Sequence, residues 1–359
     1  SIASGGNYNV VVGDEAGTAI TTGDNNVAVG FASLDANTTG SSNTAVGRNS
    51  LGGNTSASNG TALGHNALIA NTTGASNTAV GASALDANTT GANNVAVGKG
   101  SASSMTTSPS NTCIGTDAGA GITTGTGENV CIGNRAGFGM TTGAQNIIIG
   151  DNASANGALT GNGNVVVGDN AGIAMTTGGN NVAIGLTALD ANTTGALNTA
   201  VGSSALGAAT TASNNTAVGF AALDATTTGA SNTGVGYDAL GVNTTGASNA
   251  AFGIYALDAN TTGSSNVALG RHSLGANTTA SNNTAVGTSA LGANITGTQN
   301  VAIGTDALSL NTTNNNTAVG FSALKVNTSG TGNASLGYSS LDANTTGSNN
   351  TAVGADSLT

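Results

Sequence analysis

The sequence predicts an all-β protein, a parallel β-solenoid (β-roll or β-helix) of about 21 seventeen-residue coils, and three observations carry that prediction. A block reading Asn, any residue, a small residue, a large aliphatic and Gly recurs along the chain. Glycine interrupts the sequence too often for a helix, because each interior Gly costs about 1 kcal/mol relative to Ala. The composition is also too thin for ordinary globular cores: charged residues are 6%, aromatics 3%, and 58 residues are Gly. Disorder is no better a description. Disordered chains are rich in charge and Pro, and this one has a single Pro.

The repeat can be counted by its glycine. There are 21 copies, from Gly13 to Gly354, and of the 20 spacings 17 are seventeen residues, two are eighteen and one is sixteen. The Gly is present in every copy (Gly30, Gly47, Gly81, Gly98), and the residue before it is always aliphatic or Phe (Val29, Val46, Val80, Val97). Four residues before the Gly stands Asn, as in Asn26, Asn43, Asn77 and Asn94; only Gly60 departs. A residue fixed in every copy occupies an equivalent environment in every copy. The Thr/Val-Ala-Val segment alternates and is β-branched, so it reads as a short strand. The Gly and the Asn-Thr-Thr-Gly run supply two bends. Seventeen residues with two bends make one coil. Stacking coils at the strand spacing of about 4.8 Å gives a rod of roughly 100 Å whose stability comes from neighbour contacts.

The interior slot is read from a covariation. Four residues after the Gly, 15 copies carry Leu, among them Leu34, Leu51, Leu68 and Leu85. The other six carry Gly, Ala or Ser there. Five of these place Ile or Met three residues later (Ile20, Met105, Ile122, Met140, Met175), and the sixth has Leu159. One large apolar group per coil is kept, from either of two backbone positions, because a core penalises both voids and overpacking. Five variant coils are consecutive. The chain therefore reads as one continuous solenoid over 1–359, with Leu-type coils in 1–98 after a variant first coil, Ile/Met-type coils in 99–180 and Leu-type coils in 181–359. The Asn column reads as a turn and amide ladder, and the Gly column as a φ > 0 or close-approach position.

Candidate chemistry is sparse. Cys113 and Cys131 replace Ala at the same position of adjacent coils. Two readings stand, a disulfide or a stacked pair of buried free thiols, and the second is favoured. No zinc site follows, since neither His65 nor His272 is in a nearby coil. Asp35, Asp86, Asp190, Asp224, Asp258 and Asp342 follow the Leu in mostly non-consecutive coils, which reads as a solvated edge rather than an acid–base pair. Two distant His exclude a Ser-His-Asp arrangement. Gly98-Lys99-Gly100-Ser101 is no phosphate loop: Gly91 is at the wrong spacing and no helix follows. No catalytic residue, metal site or cofactor is assigned. The Asn-Thr-Thr motif is a glycosylation sequon in a eukaryotic secreted protein, or outward Thr columns form an ice-binding face; turn and strand chemistry explains it as well.

Charge excludes further classes. The net charge is −11 with five Lys+Arg, so the clustered cations that neutralise phosphates or anionic membrane surfaces are missing. No apolar run approaches the roughly 20 residues of a membrane-spanning helix. With no initiator Met and no signal peptide, the chain reads as a processed product or excised segment. Neither Ser1-Ile-Ala-Ser-Gly-Gly nor Ala355-Asp-Ser-Leu-Thr359 looks like a cap, which leaves lost flanking domains or end-to-end stacking into a filament.

The Asn-x-Ala-[Val/Ile]-Gly-x-x-[Ala/Ser] block resembles the head repeats of trimeric autotransporter adhesins. The fuller run from Asn77 to Gly91 looks like repeats in tail-fibre proteins of marine bacteriophages and related bacterial surface proteins. The resemblance covers nearly the whole chain. It implies homotrimerisation and attachment to a host or surface whose receptor it does not name. The repeat is longer than the adhesin head repeat, and no coiled-coil stalk, anchor or chaperone domain is seen. The residues give a separate argument for association. The Ala and Val columns of the strand lie on opposite faces, and only one can line the interior. The other is a stripe of the kind that marks interfaces, which predicts lateral self-association as a trimer. The expected role is an extracellular fibre on a virion or cell surface, without catalysis; the alternative is an ice-binding protein.

Overall fold

The computed structural model describes residues 6–358, and no helix occurs among them. It is an all-β parallel β-solenoid of about 20 coils. The chain divides into two compact units, Ser1–Asn180 and Asn181–Thr359. The first holds β1 (Val10–Val12) to β10 (Val165–Val167), the second β11 (Val182–Ile184) to β21 (Thr351–Val353). The unit boundary falls where the sequence passes from Ile/Met-type to Leu-type coils. Residues 1–5 of the N-terminal segment weighed above as a cap, and Thr359, lie outside the described residues.

Within each unit successive strands pair parallel and in register, so Val27, Ala28 and Val29 face Thr44, Ala45 and Val46. Register survives every irregular coil. The eighteen-residue spacings lie between β7 (Thr112–Ile114) and β8 (Val130–Ile132), and between β9 (Ile147–Ile149) and β10. The sixteen-residue spacing lies between β18 (Val301–Ile303) and β19 (Thr317–Val319). The extra and missing residues are all taken up in the bends.

The alanine column lines the interior and the valine column faces out. Ala28, Ala45 and Ala79 are fully buried, as are Leu34, Leu51, Leu68 and Leu85. In a coil this narrow, a Leu at the fourth position after the Gly leaves room on the strand facing it only for a small residue. The five coils that enlarge the alanine position (Val11, Cys113, Cys131, Ile148, Val166) shrink the leucine position to Gly17, Gly119, Gly137, Ser154 and Gly172. A Cβ at Gly119 would lie 2.5 Å from Cys113 Sγ, and one at Gly137 2.8 Å from Cys131 Sγ. The slot therefore conserves volume across three positions. Ile20, Met105, Ile122, Met140, Leu159 and Met175 all fill it with no exposure.

The constant glycine meets both of its expected conditions. Gly30 has φ +133°, and a Cβ there would sit 2.6 Å from the Gly47 carbonyl oxygen of the next coil. The leucine position has a demand that was not foreseen. Leu34, Leu51, Leu68 and Leu85 have φ of 53°, 50°, 53° and 52°, the left-handed region that costs a non-Gly residue about 1–2 kcal/mol. Burial of each Leu, worth about 1.5–3 kcal/mol, offsets this. So does a ladder bond from each Leu N–H to the next coil, such as Leu34 to Ser50 at 2.9 Å.

Two amide ladders complete the interior. In the first, Asn43 donates its backbone N–H to Asn26 Oδ1 (3.0 Å), and Asn26 Nδ2 donates to the Gly40 carbonyl (3.0 Å). The second runs through the Asn of Asn-Thr-Thr: Asn54 Nδ2 donates to Asn37 Oδ1 at 3.0 Å, and Asn88 Nδ2 to Asn71 Oδ1 at 2.8 Å. The ladder breaks where Asn88 precedes Met105, where Asn192 precedes Ala209, and at Asn294, whose successor Asn311 lies in the sixteen-residue coil; the Oδ1 of each is buried without a hydrogen-bond partner.

Candidate interaction surface

The outward strand positions form the most regular surface of each unit. In every coil the residue before the constant Gly and the residue two before that point outward. None of them is charged in any of the 21 copies. They are half-buried to exposed, from Val80 and Val97 to Leu269 at 48% and Val353 at 69%. The period-2 alternation fixes this: with Ala committed to the narrow interior, both flanking side chains must face solvent. On the β19, β20 (Ala334–Leu336) and β21 part of this face, a shallow cavity of about 270 Å³ is lined by Thr317, Val319, Leu336, Thr351 and Val353.

The bend after the glycine carries most of the aromatic residues, beside the stripe. In the second unit Phe220 stacks on Tyr237 (5.3 Å between centroids), Tyr237 meets Tyr255 edge-on (5.3 Å), and Tyr255 stacks on His272 (5.1 Å). Phe321 stacks on Tyr338 at 5.5 Å. In the first unit Arg135 lies 4.5 Å from the Phe138 ring centroid. The aromatic column is hard to read in the sequence because it shifts position: Phe220 and Tyr237 stand one residue after the constant Gly, Tyr255 and His272 two residues after it. A seventeen- or eighteen-residue spacing between Phe220, Tyr237, Tyr255 and His272 was the available signal.

The chemically suggestive residues sit as follows. Cys113 and Cys131 are paired across β7 and β8, and both are fully buried free thiols. A hydrogen bond with Cys113, then burial, pushes the Cys131 thiol well above its ordinary range, so it is a poor nucleophile. Asp35, Asp86, Asp190, Asp224 and Asp258 lie partly buried in the bend, and burial raises each carboxyl. The charges of Asp190 and Asp238 add to the rise at Asp224. Among the described residues no three His, Cys, Asp or Glu groups gather as a metal would need. The sequon asparagines Asn37, Asn54, Asn71 and Asn88 are buried in the second amide ladder, where the folded chain offers no access for glycosylation. Of the two hydroxyl residues that follow each, the first spends its hydroxyl on the next coil, as Thr38 Oγ1 donates to the Thr55 carbonyl at 3.0 Å. The second is exposed, as at Thr39, Thr73 and Thr90. No described helix is long and apolar enough to cross a membrane.

Neither a known protein-family model nor any curated protein sequence matches the chain.

Proposed function

We propose that this chain is a structural and adhesive extracellular fibre protein, of the kind found in a phage tail-fibre shaft, a surface adhesin or a self-assembling filament, and that it works by attachment rather than catalysis. The observation that carries the reading is the uncharged outward strand face. Its residues recur at the strand spacing, so a second copy of the chain brings a surface of matching period. Apolar stripes of this regularity mark interfaces, and the resemblance to autotransporter heads favours three copies with their stripes toward a common axis. End-to-end stacking of coils is a further mode of self-association. Placement on a virion or cell surface follows from the same resemblance. The experiment is light scattering at micromolar concentration on the wild-type chain and on a Val80→Asp, Val97→Asp variant, whose outward carboxylates leave the interior unchanged. Wild type should sediment and scatter as a trimer or higher assembly and the variant as a smaller species. A monodisperse wild-type monomer refutes lateral association.

The exposed Thr39, Thr73 and Thr90 column favours a second reading, an ice-binding face. Thermal hysteresis in the purified chain tests it directly, and its absence removes that reading.

A further inference from the structure

The aromatic column of the second unit stops at a cavity. Tyr255 covers one face of the His272 imidazole, with the two rings 11° from parallel. The opposite face therefore turns toward the following coil. There the equivalent residue is Ser289, and no ring continues the stack. The space beside it is a cavity of about 440 Å³ lined by His272, Asp258, Gly275, Ser289, Gly292 and Ser309.

The floor of the cavity is open because of two successive glycines. At the position after the leucine, Asp190, Asp224 and Asp258 alternate with Gly207 and Gly241, but Asp258 is followed by both Gly275 and Gly292. Backbone conformation does not require Gly here. Neither residue has φ in the left-handed range, and other coils carry Ile69, Ser309 or Lys325 at this place. The effect of the glycines is space, and the space adjoins a carboxylate and two hydroxyls.

We propose that this cavity binds a pyranose sugar, whose ring takes the next place in the aromatic column against His272 and whose hydroxyls donate to Asp258. The coil spacing of about 4.8 Å sets the next layer at the separation of stacked rings, about 4.5–7 Å. The volume lies in the range of small-ligand sites, which combine apolar or aromatic walls with a few fixed polar groups. A flat apolar ring would use the imidazole face and leave Asp258, Ser289 and Ser309 desolvated without partners. A bare divalent cation would find one carboxylate where it needs six or more oxygens. A sugar ring presents an apolar C–H face and a rim of donors at once. The inference deepens the attachment part of the proposed function and rests on it, but it does not depend on self-association.

The test uses the full chain with its two histidines labelled for NMR. Glucose, galactose, mannose, fucose and N-acetylglucosamine are titrated separately to about 100 mM, well above the millimolar Kd expected of a single ring. At least one sugar should shift the His272 imidazole resonances saturably while those of His65, in the other unit, stay fixed. Asp258→Asn, followed at His272, and His272→Ser, followed by saturation transfer from the protein to the sugar, should each weaken binding about tenfold or more; Ser is the residue the neighbouring coil already carries, so the fold is spared. Ser289→Tyr places a ring where the sugar would lie, as Tyr255 does two coils earlier, and should abolish binding. The proposal is overturned if no sugar in the panel shifts His272 saturably, if His65 responds equally, or if Ser289→Tyr binds as wild type does. Light scattering on the same samples reports self-association independently, so failure of the sugar site and failure of the fibre reading are told apart.

Discussion

Replacing Ala209 by Asn should stabilise the second unit. Ala209 interrupts the second amide ladder, and Asn192 Oδ1 is left buried without a donor. The backbone at Ala209 is already that of a ladder Asn: its N–H donates to the Leu206 carbonyl at 3.2 Å, as Asn37 does to Leu34 at 3.4 Å. The introduced amide can donate to Asn192 Oδ1 and to the Ala212 carbonyl, the bonds that Asn54 makes to Asn37 Oδ1 (3.0 Å) and the Ala57 carbonyl (3.1 Å). Relief of the orphan is worth about 1–3 kcal/mol and the bond to the Ala212 carbonyl about 0.5–1.5 kcal/mol, against roughly 1 kcal/mol of side-chain ordering. The net is about 0.5–3.5 kcal/mol, or roughly 1–14 °C in the melting temperature of a unit this size. Differential scanning calorimetry measures it. Met105→Asn serves as the contrast. It faces the equivalent orphan, Asn88 Oδ1, but Met105 fills the slot because Ala102 does not, so a cavity costing about 2–5 kcal/mol should dominate and destabilise. An Ala209→Asn chain that melts at or below wild type, or a Met105→Asn chain that melts higher, refutes the ladder-and-slot account.

Two further outcomes follow from the same coil. Gly81→Ala combines φ +133° with a Cβ placed 2.6 Å from the Gly98 carbonyl oxygen; it should cost about 3 kcal/mol or more, and an unchanged melting temperature would show that the glycine column is not required. The carboxyls of Asp35, Asp86, Asp190, Asp224, Asp238 and Asp258 are raised above 3.8, chiefly by burial. The folded chain then holds protons that the unfolded chain releases, so stability is greatest below that value and falls as pH rises through the raised pKa values. Thermal melts should therefore show a higher transition near pH 4 than near pH 7, and a melting temperature that drops steadily on acidification would contradict it.

Much of the fold was legible because a repeat prints the same environment many times. The strand, the two bends, the constant glycine and the exchange of Leu for Ile or Met all stood out as columns before any coordinates. Three features did not. The left-handed backbone of Leu34 and its equivalents was hidden because Leu is an unexpected residue there, and only its exchange for Gly17, Gly119, Gly137 and Gly172 hinted at strain. The third member of the slot was legible but unread: Val11, Cys113, Cys131, Ile148 and Val166 are large where the leucine position is small. The stacked rings from Phe220 to His272 escaped because solvent-facing positions vary freely, and a one-residue shift between Tyr237 and Tyr255 breaks the column they would otherwise form in the repeat. Which face of the strand was interior could not be chosen from alternation alone. The width of the coil decided it: opposite a Leu there is room only for a small strand residue, and Cys113, Cys131, Ile148 and Val166 enter only where the leucine position is Gly or Ser.

The bends absorb every departure from seventeen residues while strand pairing stays in step. An insertion of one residue into β7 would have thrown the small and branched side chains to opposite sides; the same insertion among residues 124–128 shifts nothing beyond the bend. Copying errors in such a gene are thus sorted by where they land. Slippage that adds a whole coil, or a residue within a corner, yields a chain that still closes on its neighbours, whereas the same slip inside a three-residue strand does not. A lineage carrying this repeat can lengthen or shorten its product in single layers without redesigning any contact.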